Sequence, residues 1–437
     1  MKENRVVKNA SWIIACKIAQ SILQFIIGMI SARYLGKDNY GVINYAASIV
    51  AFALPFMKLG FDAILVHELV ESPEKEGEIM GTSLLMNIFS SAVCMLGVFG
   101  FVSFANAGEL EKIIVCVLYS ISIFCAALEM IQYWFQYKLQ SKYSSIVMLI
   151  AYVIVSVYKI FLLVTEKSVA WFAVSHAIEY GIIGFALIAI YIKNGGQRFS
   201  FSRSRAKKML SKSKHYILAS LMVVIIQNTD HVMLSFMDSD AATGIYSAAI
   251  TSVVVVQFVY TAIVDSFRPL ILSEKKEENI PAYEKSVSRL YSIIMYLAIA
   301  QCIVFFVFAR LIVSVLYGED YMEAVSVLRF LIFYYVFSAM GLVRNVWILA
   351  ESKQNYLWII NLSGALLNVG LNAVLIPFMG ANGAALASLV TQFFANFVIG
   401  FIIRPIRKNN ELMLKGLNPK FLIREAKVII KQIKKGK

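Results

Sequence analysis

Seven basic residues lie inside apolar stretches of this chain: Lys17, Lys58, Lys159, Arg268, Arg289, Arg329 and Arg344. A charge in hydrocarbon is costly and usually functional. Lys and Arg are the usual binders of phosphate and other anions, through charge-assisted hydrogen bonds. Lys17 lies about two turns into the first stretch, at a depth of about 12 Å by helical rise, with Gln20 and Gln24 on the same side. Snorkelling from that depth is strained, so a cavity-facing Lys17 is expected. Arg329 and Arg344 are 15 residues apart, close to four turns, and are expected to form a cationic wall.

Lys58 and Asp62 are spaced i, i+4, and Asp265 and Arg268 i, i+3, so each pair can neutralise itself on its own helix. Glu129, Glu179 and Asp230 are further carboxylates within spans. Buried carboxylates such as Glu179, Asp230, Asp62 and Asp265 either take up a coupling cation or a proton, or balance the cationic wall. Asn361, Asn368 and Asn372 form a polar stripe at helical spacing, suited to hydroxyl-rich groups or to interhelical hydrogen bonds. Seven bases against six carboxylates leave a slight basic excess inside the spans. That balance suits an anionic ligand, whereas an exporter of organic cations needs the reverse.

Motifs for catalysis are nearly absent. The run GKDNYG lacks the Gly-Lys-Ser/Thr ending of a phosphate loop. The histidines His67, His176, His215 and His231 make no metal-ligand pattern, and His176 and His231 read as hydrogen-bonded interior residues. No Ser-His-Asp order is arguable, so no cofactor, metal or catalytic residue is expected. The five cysteines all fall within spans and lack metal-ligand spacing.

The elements that position these residues follow from hydropathy. The chain has 437 residues, 59% of them hydrophobic, with a mean hydropathy of +0.71. Twelve apolar stretches are each long enough to cross a hydrocarbon core of ~30 Å as a helix. They cover roughly 9–33, 40–66, 79–104, 112–136, 144–164, 169–192, 214–237, 244–270, 286–309, 323–349, 356–377 and 383–404. The first is expected to act as a signal anchor, because it is too long for a cleaved signal and lacks a small-residue cleavage site. With both termini cytoplasmic, 29 of the 41 basic residues fall inside and only Arg33, Lys37, Lys112, Lys167 and Arg310 outside. That asymmetry sets the orientation. The net charge of +14 therefore points to anionic membrane lipids and not to nucleic acid.

Six spans precede, and six follow, the segment Lys193 to Lys214, which holds eight basic and no acidic residues. The halves look related. ARYLGKDNYG continues as VINYAAS, and LSFMDSDAATG as IYSAAIT; 21 residues beyond Gly41 and Gly244 stand Asp62 and Asp265. A parallel repeat gives two six-helix lobes around a central cavity. The expected fold is thus an all-α polytopic membrane protein with lobes at 1–192 and 214–404, a basic cytoplasmic linker at 193–213 and a basic tail at 405–437. In the tail, Phe421, Leu422, Val428, Ile429 and Ile433 interleave with basic residues after an Asn418-Pro419 start, the pattern of a surface-lying amphipathic helix.

The runs ARYLGKDNYG, QNTDHVML, GIYSAA and MGANGAALAS, in that order and spacing, resemble the bacterial polysaccharide-transporter family. Wzx-type O-antigen flippases are its best-known members, within the multidrug/oligosaccharidyl-lipid/polysaccharide exporter superfamily. The resemblance covers essentially the whole chain. It implies flipping of undecaprenyl-pyrophosphate-linked oligosaccharide across the bacterial plasma membrane by alternating access, for O-antigen, capsule or exopolysaccharide. A polysaccharide polymerase and a chain-length regulator are the partners it implies. A multidrug extruder of the same superfamily is the alternative, and a membrane-embedded polymerase a more distant one. The family's substrate residues follow no fixed motif, so only the general role of cavity charges carries over.

Overall fold

In the computed structural model of the chain, residues 2–254, 256–419 and 421 are described. All regular elements among them are helical. Among the described residues, eleven segments are long and apolar enough to cross a membrane. The first, Cys16–Glu71, has 56 residues, about 80 Å of helix and far more than one crossing uses. It breaks at Gly36, whose φ of 71° and ψ of 171° are non-helical. The turn expected between spans one and two thus shrinks to one residue, and twelve crossings result.

The chain packs as two compact units, residues 1–244 and 245–437. The first holds α1 (Lys2–Lys58), α2 (Phe61–Glu71), α3 (Glu76–Ala105), α4 (Leu110–Leu128), α5 (Gln132–Tyr137), α6 (Ser141–Val164), α7 (Val169–Lys193) and α8 (Arg203–Met237). It closes with the first turn of α9 (Asp240–Val254). Its core is an apolar cluster around Phe61, Leu65, Ile79, Trp134, Phe135 and Met209.

α1 and α2 are separated by Leu59 and Gly60, both left-handed at φ 52° and 68°. The Ser213 hydroxyl of α8 donates to the Leu59 carbonyl at 2.6 Å and so ties down this bend. α8 begins at Arg203, capped by the Ser202 hydroxyl that accepts from the Arg205 N–H. Half of the segment expected as linker is therefore helix. The remainder is bound to α3: the Ser200 N–H donates to the Gly77 carbonyl at 3.1 Å and the Ser202 N–H to Thr82 Oγ1 at 3.0 Å. Glu76 also accepts from the Gln197 N–H at 3.4 Å and pairs with Lys138 at 2.7 Å. The helical part is held by charge: Glu68, only 1% exposed, takes Arg205 and Lys212.

One close approach connects the sequence repeats. Gly41 and Gly244, the equivalent glycines, face each other within the first unit. A Cβ on Gly41 would lie 1.7 Å from the Asp240 carbonyl oxygen, and one on Gly244 2.0 Å from that of Lys37. Each glycine meets the carbonyl four residues before the other, so the approach is reciprocal. Beside it the Lys112 ammonium, 5% exposed, pairs with Asp240 at 2.8 Å and Glu109 at 3.3 Å, over the Tyr45 ring. The Tyr45 hydroxyl in turn donates to Asn106 Oδ1 at 2.9 Å.

The second unit holds the rest of α9, then α10 (Gln257–Lys276), α11 (Ile280–Leu316), α12 (Ala324–Ala350), α13 (Leu357–Met379), α14 (Ala381–Phe393), α15 (Ile399–Ile402) and α16 (Arg407–Leu417). A π-helical turn, Phe394–Val398, joins α14 to α15. α16 belongs to this body although it follows the last span. Asn409, Asn410, Leu412, Met413 and Gly416 are buried, and the Tyr291 hydroxyl of α11 donates to Asn409 Oδ1 at 2.8 Å. Just past α12, Glu351 accepts from Lys275 at 2.7 Å and from the Tyr283 hydroxyl at 3.0 Å. Burial works to raise its carboxyl pKa, but these donors and the Lys275 and Lys353 charges outweigh it and hold it below the usual range. The amphipathic helix expected over 418–437 lies, beyond Pro419 and Phe421, outside the described residues.

Candidate functional site

Polar groups from α1, α4, α6 and α7 gather inside the first unit. His176 and Glu179 are one turn apart on α7, with Nδ1 3.9 Å from Oε2. The imidazole lies against the Tyr119 ring of α4, centroids 4.7 Å apart. The Lys159 ammonium of α6 and the Tyr152 and Tyr180 hydroxyls lie within electrostatic reach of Glu179. Glu129 stands where α4 tightens into the 3-10 turn Glu129–Ile131. Its carboxylate is hydrogen-bonded to the Gln132 side chain, faces Lys58 and acts on Glu179. Two cations and two carboxylates thus lie within electrostatic reach of one another. Such a set can hand over a proton or a cation by exchanging one partner.

The other expected residues separate from this cluster and from one another. Lys17 is exposed on α1. Lys58 and Asp62 do not share a helix, because the chain bends at Leu59–Gly60 between them. Their expected i, i+4 pairing fails for that reason; Lys58 faces Glu129 and Asp62 lies near Tyr133. Asp265 and Arg268 do pair on α10, at 2.8 Å, and both are about half exposed. Asp230 is buried on α8.

The expected cationic wall divides. Arg329 is exposed over the Phe306 ring, 5.1 Å from its centroid. Arg344 is 6% exposed and donates to the Ala395 carbonyl at 2.6 Å and to Asn345 Oδ1 at 3.1 Å. Fifteen residues at about 100° each overshoot four turns by about 60°, enough to send the two to different surroundings. In the asparagine stripe, the Asn372 amide donates to Asn368 Oδ1 at 3.2 Å and the Asn368 amide to Ser388 Oγ of α14 at 3.4 Å. Asn368 thus bonds across to α14, Asn372 bonds to Asn368 within α13, and Asn361 is half-buried.

Residues 6–275, more than half of the chain, match the family described as "Polysaccharide biosynthesis protein". The chain belongs to this family. It is 22% identical over 399 residues to the capsular polysaccharide biosynthesis protein CapF of Staphylococcus aureus, an alignment covering 89% of this chain and 97% of CapF. Its fold is shared with the lipid II flippase MurJ in an inward closed conformation, at a TM-score of 0.74 and 15% identity, covering 92% of this chain and 91% of MurJ. An inward-facing MATE multidrug transporter matches at a TM-score of 0.62 and 13% identity, covering 90% and 94%. With its long apolar helices, the chain is therefore a multi-pass membrane protein that shares the fold of these transporters.

Several residues of its site carry little sequence signal. Lys159 is conspicuous as the lone charge of its span, but nothing along the chain joins it to Glu179. Tyr119, Tyr152 and Tyr180 are three of 22 tyrosines. Lys112 sits at a span end, where a basic residue is ordinarily solvated, and its partner Asp240 is remote in sequence.

The geometry gives Arg344 a structural task. A π-helical turn leaves main-chain carbonyls without their usual helical partners, and Arg344 takes that of Ala395. Arg344→Ala is expected to destabilise the protein by about 1–3 kcal/mol, the cost of an unsatisfied buried acceptor. Yield and thermal stability in detergent should fall while export per molecule holds. Lost export at normal yield for Arg344→Ala would return this residue to the substrate path.

Proposed function

We propose that this protein is a flippase that moves undecaprenyl-pyrophosphate-linked oligosaccharide repeat units from the cytoplasmic to the outer leaflet, by alternating access, for surface polysaccharide. The observation that carries the reading is the family match over residues 6–275, on a chain that clusters ionisable groups within apolar helices. A pyrophosphate bearing sugars does not cross hydrocarbon unaided. Basic and amide side chains replace its hydration, and the lipid tail stays in the bilayer. The cluster of Lys58, Glu129, Lys159 and Glu179 serves as the coupling element, with Asp230, Asp62 and Asp265 as further carboxylates. Lys17 and Arg329 are exposed cations available to the anionic headgroup, and Arg268 is exposed beside its partner Asp265. Both termini are cytoplasmic and the membrane is the plasma membrane, by the bias of basic residues.

Loss of the protein is expected to stop surface polysaccharide at translocation. Lipid-linked units should accumulate on the cytoplasmic leaflet while glycosyltransferase activity in membranes persists. Units that still reach the outer leaflet, in cells without a related transporter, defeat the proposal. The MATE likeness favours a second reading, a multidrug extruder. Drug sensitivity on deletion, with normal surface glycan, selects it.

A further inference from the structure

The first unit carries an apolar groove beside a row of basic residues, and the two together describe a lipid with a doubly charged headgroup. The groove, of about 450 Å³, is lined by Leu59, Leu85, Met86, Phe89, Val93 and Leu210, with Phe201 closing its edge. Phe89 is 74% exposed, and Leu85, Val93 and Phe201 are each about half exposed. The single polar group, Ser90, donates its hydroxyl to the Phe56 carbonyl at 2.9 Å, so the groove offers no free donor. Methionine and aromatic edges in such a lining adapt to an irregular apolar chain.

Leu210 connects the groove to the charges. α8 has 35 residues, well beyond the roughly 20 that one crossing needs. Its first turns therefore extend past the hydrocarbon. Lys207 and Lys214 stand three before and four after Leu210, on one helical stripe with it, and both are exposed. Of the other cations of these turns, Arg205 is engaged by Glu68 and Glu78 and Lys212 by Glu68 and Glu71, while Arg203 and Lys208 are exposed as well. The two lysines are about 10 Å apart along the helix, with the apolar lining between them. A bilayer phosphodiester brings one negative charge; a pyrophosphate diester brings two.

We infer that this groove seats the polyprenyl chain of a lipid diphosphate, with Lys207 and Lys214 facing its pyrophosphate. The inference rests on the flippase reading and gives the substrate a first docking site, on α3 and α8 of the first unit. Leu59, one of the two left-handed residues of the α1–α2 bend, is part of the lining, so the seated chain packs on the segment that follows Lys58.

The test uses the full-length protein in nanodiscs of zwitterionic lipid and a photoreactive polyprenyl diphosphate. Crosslinks are expected on the peptides carrying Leu85–Val93 and Phe201–Leu210. Unlabelled polyprenyl diphosphate should compete, and phosphatidylglycerol should not. Lys207→Gln with Lys214→Gln should lower labelling about tenfold, the scale of removing one or two charge-assisted hydrogen bonds, with melting temperature unchanged. Equal labelling by a neutral polyprenol probe, or equal competition by phosphatidylglycerol, overturns the inference and leaves a groove for bulk lipid. Saturable diphosphate binding that maps to other helices overturns the groove alone and leaves the flippase reading standing. No saturable diphosphate binding at all removes both.

Discussion

Gly41→Ala is expected to leave almost no folded protein. The new methyl would sit 1.7 Å from the Asp240 carbonyl oxygen and 2.6 Å from its carbon, where real Cβ atoms are essentially never found. Both obstacles are main chain, so no side chain can swing aside. One of the two helix starts must move, and the Lys112–Asp240 pair and the Tyr45–Asn106 hydrogen bond move with it. Ordinary overpacking costs about 1–3 kcal/mol; breaking a buried ion pair by separating its partners costs about 3–5 kcal/mol more. Together these approach the whole stability of a typical domain. Gly244→Ala should behave the same way, at 2.0 Å from the Lys37 carbonyl oxygen. Gly97→Ala, with nothing within 4 Å, is the matched control. The readout is the monodisperse fraction of detergent-extracted, fluorescently tagged protein. A Gly41→Ala variant with the yield and melting temperature of Gly97→Ala would show that the two helix starts are not held together in the folded state.

Export should fall at least about tenfold when Lys159 is replaced by methionine, and the way it is rescued distinguishes charge balance from transport. Where two charges in an apolar interior act on each other, removing one leaves the other uncompensated, at a cost of up to about 3–5 kcal/mol. Lys159→Met strands Glu179; Glu179→Met strands Lys159. Each single variant should lose yield as well as export. The double variant removes both charges, and such replacements are often neutral or stabilising. Its yield and melting temperature are expected to return to those of the parent. If Lys159 and Glu179 exchange partners during transport, export per molecule stays low in the double variant. Export restored together with stability would mean that the pair only balances charge, and would remove it from the coupling role. His176, packed on Tyr119 and 3.9 Å from Glu179, gives a second handle. His176→Phe keeps the ring stacking and removes the nitrogen beside the carboxylate.

The crossings were legible because spanning a membrane is a one-dimensional requirement: enough consecutive apolar residues to match the hydrocarbon thickness. Their ends shifted by a few residues, and α8 began eleven residues before its expected span because amphipathic residues such as Arg205, Met209 and Ser213 are buried against α1–α3 and not in lipid. The family was legible for a related reason: short runs such as ARYLGKDNYG and GIYSAA are local in sequence, and both lie within the residues 6–275 that match it. The sequence also singled out Gly41 and Gly244 as equivalent. Only packing brought them face to face.

What a buried charge does was not legible. Arg344 and Arg329 look alike in the sequence, yet one binds the Ala395 carbonyl and the other lies exposed on Phe306. Lys58 and Asp62 have ideal spacing for a pair on one helix, and the bend at Leu59–Gly60 sends Lys58 to Glu129 instead. Lys112 reads as a solvated loop residue and is sealed against Asp240. Apolar length and local motif are properties of neighbours along the chain, so the sequence by itself determined the membrane spans and the family. A charge in a low-dielectric interior is governed by the nearest opposite charge or dipole in space, so the tertiary structure alone decided which ionisable groups were paired, which were structural and which were left facing outward.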